Sequence, residues 1–227
     1  FSDELLAILQ SELKDQLLDF LVINHMEPDH SGTILTLLKK YPKIKLIGNH
    51  KTAVFAKGFY DLDEKRFIQV TDGELLELAE YQLEFHQTPM VHWPESMVVL
   101  EKNQGILFSS DIFGGYKTVE RQVLADKRDD LDEFINQARA YFATVIGGYT
   151  RPALASLKKL KSLDIKCIAP AHGLIWQKNY QQIIDLYWQW TQFLPDNKDW
   201  RGTTVVIGSM YGHTWQIGEV IKKELEK

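Results

Sequence analysis

Apolar residues recur along this chain in two rhythms, one near four residues and one near two. Leu5, Leu9, Leu13 and Leu17 repeat every four positions with Glu4, Glu12 and Asp15 between them, which predicts an amphipathic first helix. Residues 19–24 then read as a short buried strand. A helix is expected over 33–40, stopped by Pro42, followed by a strand at 44–47, a helix at 52–60 and a strand at 67–70. From 75 to 108 the period changes to two. Met97-Val98-Val99-Leu100 and Ile106-Leu107-Phe108 flank Lys102-Asn103-Gln104-Gly105, a hairpin signal. Helices at 131–145 and 152–160 precede a strand at 167–169, and a further helix at 180–193 carries Trp188, Trp190 and Phe193, expected in a core or an interface. After a mostly polar stretch at 195–202, Thr203-Thr204-Val205-Val206-Ile207-Gly208 predicts a strand, and Ser209-Met210-Tyr211-Gly212-His213-Thr214 a loop entering a helix. This divides the chain into a domain at 1–194, a linker at 195–202 and the start of a second module at 203–227.

At 227 residues and 44% hydrophobic, the chain has enough apolar material for a full core. Its net charge of −5, without a basic stripe, argues against nucleic acid as a partner. No apolar run reaches the roughly 18–20 residues that cross a bilayer, and no signal peptide is visible. The single Cys167 excludes an internal disulfide and reads as a buried strand residue; a cytoplasmic setting fits. Phe1 is not an initiator methionine and the last helix runs to the chain end, so both ends are expected to be cut.

Most of the candidate chemistry follows strand ends. Asn24-His25-Met26-Glu27-Pro28-Asp29-His30 comes after the first apolar run, and His92, Asp111 and His172 fall in later loops. Loops from separate strands of α/β layers converge at one edge. Residues two apart in an extended loop share a side, so His25 and Glu27 can grip one metal, and Pro28 can turn the loop so that Asp29 and His30 face another. Imidazole and carboxylate together suit zinc or non-haem iron, each taking roughly four to six ligands. Seven candidate side chains exceed what one such cation uses and ask for two. The three carboxylates Glu27, Asp29 and Asp111 would balance two divalent cations and a bridging hydroxide, and their hard oxygens favour iron over zinc. The ordinary alternative, a surface run of histidine and acid at a turn, does not account for three distant partners. His50 and His86 read as structural residues.

These residues resemble the metallo-β-lactamase fold and, within it, the flavodiiron proteins. His25-Met26-Glu27-Pro28-Asp29-His30 has the flavodiiron form of the superfamily's metal motif. The segments Met90-Val91-His92-Trp93-Pro94-Glu95-Ser96-Met97, Ser109-Ser110-Asp111-Ile112-Phe113 and Pro170-Ala171-His172-Gly173-Leu174-Ile175-Trp176 are similar to its other ligand blocks. The resemblance implies an α/β, metallo-β-lactamase-like αββα sandwich lacking its N-terminal strands, followed by the first βα unit of a flavodoxin-like doubly wound domain. It implies one iron on His25, Glu27 and His92, a second on Asp29, His30 and His172, and Asp111 bridging them. Some family members lose individual ligands, whereas this sequence keeps all seven. The loop Ser209, Met210, Tyr211, Gly212, His213 and Thr214 is similar to a flavodoxin phosphate loop and implies FMN in the complete protein. The segments that would sandwich the flavin ring are absent from these residues.

The implied activity is reduction of dioxygen to water, of nitric oxide to nitrous oxide, or of both. Two ferrous ions and one reduced FMN hold the four electrons that dioxygen requires; two nitric oxide molecules require two. The implied partners are rubredoxin or a flavin reductase as electron donor and a second copy in a head-to-tail homodimer, or a dimer of dimers. A zinc hydrolase of the same fold and a non-enzymatic diiron oxygen sensor are the rival readings.

Overall fold

The structure, a computed structural model, describes residues 2–14, 16–120, 122–193 and 203–226; the linker expected at 195–202 lies outside them. The chain forms two units, Phe1–Gln192 and Phe193–Lys227. In the first, α1 (Ser2–Leu13) is followed by β1 (Phe20–Val22), a one-turn α2 (Pro28–Ser31), α3 (Ile34–Lys40), β2 (Lys45–Gly48), α4 (His50–Tyr60) and β3 (Phe67–Gln69). The strands β1, β2 and β3 pair in parallel, in that order, because each connection between them is a helical crossover.

Next come β4 (Leu75–Leu78), β5 (Tyr81–Gln87), β6 (Met97–Glu101) and β7 (Ile106–Ser110), an antiparallel meander. The hairpin expected around 102–105 forms: the Glu101 carboxylate accepts the Asn103 and Gln104 N–H groups at 3.1 and 2.9 Å, and Gly105 takes φ +69°. Helices α5 (Leu131–Tyr141) and α6 (Thr150–Leu160) then carry the chain back to β8 (Cys167–Pro170), parallel to β7. Helix α7 (Tyr180–Thr191) closes the unit.

Strand period two sorts the side chains into layers. Leu46 faces α3 and α4 with Ile34, Leu38 and Ala56, while its neighbour Ile47 turns the other way to meet Phe85, Met97 and Val99 between the two sheets. On the far side of the second sheet, Val98, Leu100, Leu107 and Ile168 pack against Phe134, Ala138, Leu157 and Tyr187 of α5, α6 and α7. Helices, sheet, sheet and helices therefore stack in that order, the αββα sandwich, with open and mixed sheets.

Several elements depart from the sequence reading. Strand β1 is an edge strand with Phe20 exposed and Leu21 and Val22 half-buried, because only one side of it is paired among the described residues. The helix expected to run through 145 passes into a π turn at Phe142–Ile146 and a 3₁₀ turn at Gly147–Tyr149, where two adjacent glycines weaken an α-helix. Helix α7 ends at Thr191; Trp190 is buried and Trp188 half-buried, but Phe193 is exposed with a left-handed backbone. Cys167 is half-buried, not enclosed, and burial pushes its thiol up, so it stays protonated.

In the second unit α8 (His213–Leu225) forms as expected, but residues 203–208 make no ladder, since a strand requires a partner and none is present among the described residues. Ile207 packs on Gly218 of α8, the close approach that a larger residue there would block. No helix among the described residues is long and apolar enough to cross a membrane.

Candidate metal centre

Four loops deliver the seven candidate ligands to one end of the sandwich. The first leaves β1 at Asn24, whose carbonyl accepts from Met97 N–H (3.0 Å) and whose amide donates to Phe108 O (3.2 Å), tying the end of one sheet to the other. Met26 is fully buried, so His25 and Glu27 on either side of it face the opposite way, as their spacing requires. Pro28 does turn the chain, by occupying the first position of the one-turn helix α2. His30 N–H and Ser31 N–H return to Glu27 O at 3.0 and 2.9 Å, which brings Asp29 and His30 beside the first pair.

His92 comes from the β5–β6 loop, braced by Thr88 N–H to Ser96 O and Met90 N–H to Trp93 O. Asp111 follows a register shift between Phe108 and Ser110, and Ser110 is itself left-handed (φ +53°); the irregularity re-aims the next side chain inward. Ala171 N–H donates to Ser110 O (2.8 Å), so the ends of β7 and β8 present Asp111 and His172 together. Beyond His172, Gly173 sits at φ +84° and a Cβ there would meet Gly115 N at 3.0 Å.

The seven side chains converge in two groups of donor atoms, His25, Glu27, His92 and Asp111 in one, Asp29, His30 and His172 in the other. In the first group Glu27 Oε2 lies 3.3 Å from His25 Nε2 and 2.9 Å from His92 Nε2. In the second, Asp29 Oδ2 lies 3.6 Å from His30 Nε2 and 3.2 Å from His172 Nε2. Asp111 stands between them. Its Oδ2 is 3.3 Å from both His25 and His92, and its Oδ1 is 3.0 Å from His30 and 3.4 Å from His172.

Donors about 2.1 Å from one cation stand roughly 3.0 Å apart at right angles and roughly 3.4 Å apart in a tetrahedron, so these spacings fit a metal at each group. Asp111 Oδ1 and His30 Nε2 are both buried, and neither completes a well-aligned hydrogen bond. Lone pairs left over in a buried cluster are what a cation would satisfy.

The electrostatics agree. Burial would lower His30 and His92, but Asp111 beside both, with Glu27, holds them above the ordinary imidazole value. Burial would raise Asp111, yet His30 and His92 keep its carboxyl far below the usual range, so it stays ionised. Around the floor formed by His25 and Asp111, each 2% exposed, the half-buried Glu27 and His172 and the exposed Asp29 leave a side open to solvent. A small molecule can reach the donor atoms from there.

Two residues near the centre carry no role in the sequence reading. Glu95 is 0% exposed, and its Oε1 lies 2.8 Å from His25 Nδ1 and accepts from Met26 N–H at 2.9 Å. Its signal in the sequence is a lone carboxylate two residues before the apolar strand β6. Tyr141 of α5 is buried with its ring 5.7 Å from that of His172, and burial with the nearby Asp111 keeps its phenol protonated. Of the other histidines, His86 is buried and pushed below its ordinary value by burial, 3.3 Å from Glu84, and His50 opens α4 at the surface; neither approaches the cluster.

In the second unit, Gly212 caps the start of α8 with φ +85°, and its N–H donates to Ser209 Oγ at 3.0 Å. Ser209, Met210, Tyr211, His213 and Thr214 are exposed around that turn.

A family model described as ODP family beta lactamase matches residues 1–173, and the chain belongs to that family. The anaerobic nitric oxide reductase flavorubredoxin of Vibrio vulnificus is 30% identical over 97% of this chain and 44% of its own length. The coenzyme F420H(2) oxidase of Methanothermobacter marburgensis is 32% identical over 96% of this chain and 54% of its own. Among solved structures, a point mutant of the flavo di-iron protein from Thermotoga maritima superposes with a TM-score of 0.76 at 32% identity, covering 83% of this chain and 46% of that one. Within the family, then, this is a flavodiiron protein. It spans about half the length of the curated relatives it matches.

Proposed function

We propose that the chain is the metal-binding half of a reductase that takes dioxygen to water, nitric oxide to nitrous oxide, or both. One observation carries the reading: the two oxygens of Asp111 face different sets of histidines. On this reading His25, Glu27 and His92 hold one iron, Asp29, His30 and His172 hold the other, and Asp111 spans them. Bound there, two ferrous ions would supply electrons and open coordination positions to a diatomic gas. The protein's part is to balance charge and control access. Three carboxylates offset most of the charge of two divalent cations, the apolar layers beneath His25 exclude water, and the open side at Glu27, Asp29 and His172 admits the substrate.

The turn at Ser209, Met210, Tyr211, Gly212, His213 and Thr214 is read as the FMN phosphate site of the complete protein, with hydroxyls and a free helix end suited to a dianion. Gly212 N–H, which donates to Ser209 Oγ, belongs to the same turn. Electrons would come from rubredoxin or a flavin reductase, in keeping with the name flavorubredoxin of one relative. The active form would be a homodimer or a dimer of dimers in the cytoplasm.

Iron and flavin analysis of the full-length protein, with dioxygen and nitric oxide consumption measured under a reductant, tests this. Two irons and one FMN per chain with gas turnover are expected. Bound zinc with esterase or thioesterase activity would make it a hydrolase instead, and iron with reversible dioxygen binding but no turnover would make it a sensor.

A further inference from the structure

Among the described residues, His25 alone of the four clustered imidazoles rests its far nitrogen on a carboxylate. Glu95 Oε1 already accepts the Met26 N–H, so it is an acceptor toward His25 as well, and His25 must donate from Nδ1. An imidazole that carries its proton on Nδ1 offers its lone pair at Nε2. That nitrogen is the one 3.3 Å from Glu27 and from Asp111. Glu95 is itself fixed: its backbone carbonyl accepts from the Asn49 side-chain amide at 2.6 Å, and Asn49 Oδ1 caps α4 by accepting from Thr52 N–H. The start of α4 thereby holds the loop that holds the carboxylate.

A chain seeking only stability gains little from this arrangement. Glu95 is 0% exposed and its second oxygen, Oε2, is buried without a partner. Burying a carboxylate with half its lone pairs unsatisfied is costly, and an apolar residue or a glutamine could fill the same space. What an apolar residue could not do is orient His25 and enrich its ring with electron density. A carboxylate behind a ligating histidine does both.

We infer that Glu95 is a positioning residue for one half of the metal centre: it selects the Nδ1–H tautomer of His25 and strengthens the metal bond at Nε2. The inference rests on the reading of His25 as a ligand. It makes the two metal positions unequal, since among the described residues His30 and His172 on the other side have no such support.

The test uses full-length protein with ¹⁵N-labelled histidine, loaded with zinc so that the spectra are diamagnetic, together with iron and zinc titrations of the wild type, Glu95→Ala and Glu95→Gln. The wild type is expected to take two metals per chain and to show a slowly exchanging proton on His25 Nδ1. Glu95→Ala should lose that slow exchange and weaken one of the two sites by about 10- to 100-fold, leaving the other within about twofold. Glu95→Gln keeps an acceptor of the same shape without the charge, so it should retain the tautomer and weaken the same site by less than about tenfold. A wild-type His25 with its proton on Nε2, unchanged affinities in Glu95→Ala, or equal weakening of both sites overturns the inference while leaving the metal centre standing. A wild type that binds no metal at all overturns both.

Discussion

At the scale of single residues the centre turns on Asp111, whose oxygens serve two sets of imidazoles from one buried carboxylate. Asp111→Asn keeps the shape but replaces one oxygen by an amide nitrogen that has no lone pair to give, so one side loses a donor. Metal content after iron loading and dialysis is expected to fall from two toward one per chain; two firmly held irons in the variant would show that Asp111 does not bridge. On the proposed function, Glu27 sets the metal's identity. In Glu27→His a hard anionic oxygen becomes a neutral nitrogen, which should move preference from iron toward zinc and abolish gas reduction. Competition between the two metals, read by elemental analysis, checks this, and unchanged iron preference would count against it. The clustering of the seven side chains is legible in the sequence because histidine and acid so closely spaced serve few other ends. Glu95 was not, because nothing in one more acidic residue says that it is fully buried behind an imidazole.

At the scale of elements, loops rather than helices decide the geometry. Gly173 and Gly115 approach so closely that Gly173→Ala must both strain a left-handed backbone and push the loop bearing His172. A cost of about 1–2 kcal/mol is expected in urea unfolding, with weaker metal binding at the His30–His172 side. The chain between β3 and β4 is fastened to α6 by Lys159, whose ammonium donates to Asp72 at 2.7 and 2.9 Å and to Gln87 O at 2.8 Å. Burial would raise Asp72, but Lys159 and the Gln87 N–H hold its carboxyl below the ordinary value. A lowered folded-state pKa means stability that is present above the unfolded carboxylate value and lost as pH falls through the folded one. Both side chains are partly exposed, so Lys159→Met should cost under about 1 kcal/mol at neutral pH. The gap to wild type should close in acid; a gap that persists there would assign the loss to packing.

Periodicity gave most strands and helices, since layers that bury one face of each element write that face into the sequence. It did not reveal α2, too short to have a period. Nor did the apolar run at 205–207 foretell the unpaired state of 203–208, because such a run reports surface to be covered and not whether a partner covers it.

At the scale of the whole molecule, the first unit brings the seven candidate donors together, whereas the second offers, among the described residues, one helix and a turn. On the proposed function, phosphate contacts at α8 with no sheet beneath it among the described residues would give a flavin ring nothing there to stack on. Flavin fluorescence titration should therefore find weak FMN binding by residues 1–227 and stoichiometric binding by the full-length protein; tight binding by the shorter chain would mean that the flavin site lies elsewhere. The claim on which everything else depends is a pair of irons joined through Asp111. Anomalous diffraction at the iron absorption edge, on crystals of the full-length protein, addresses it most directly. Two peaks are expected, one against His25, Glu27 and His92 and one against Asp29, His30 and His172, with the Asp111 carboxylate between them. A single tetrahedral zinc, or iron away from these seven side chains, would overturn the account.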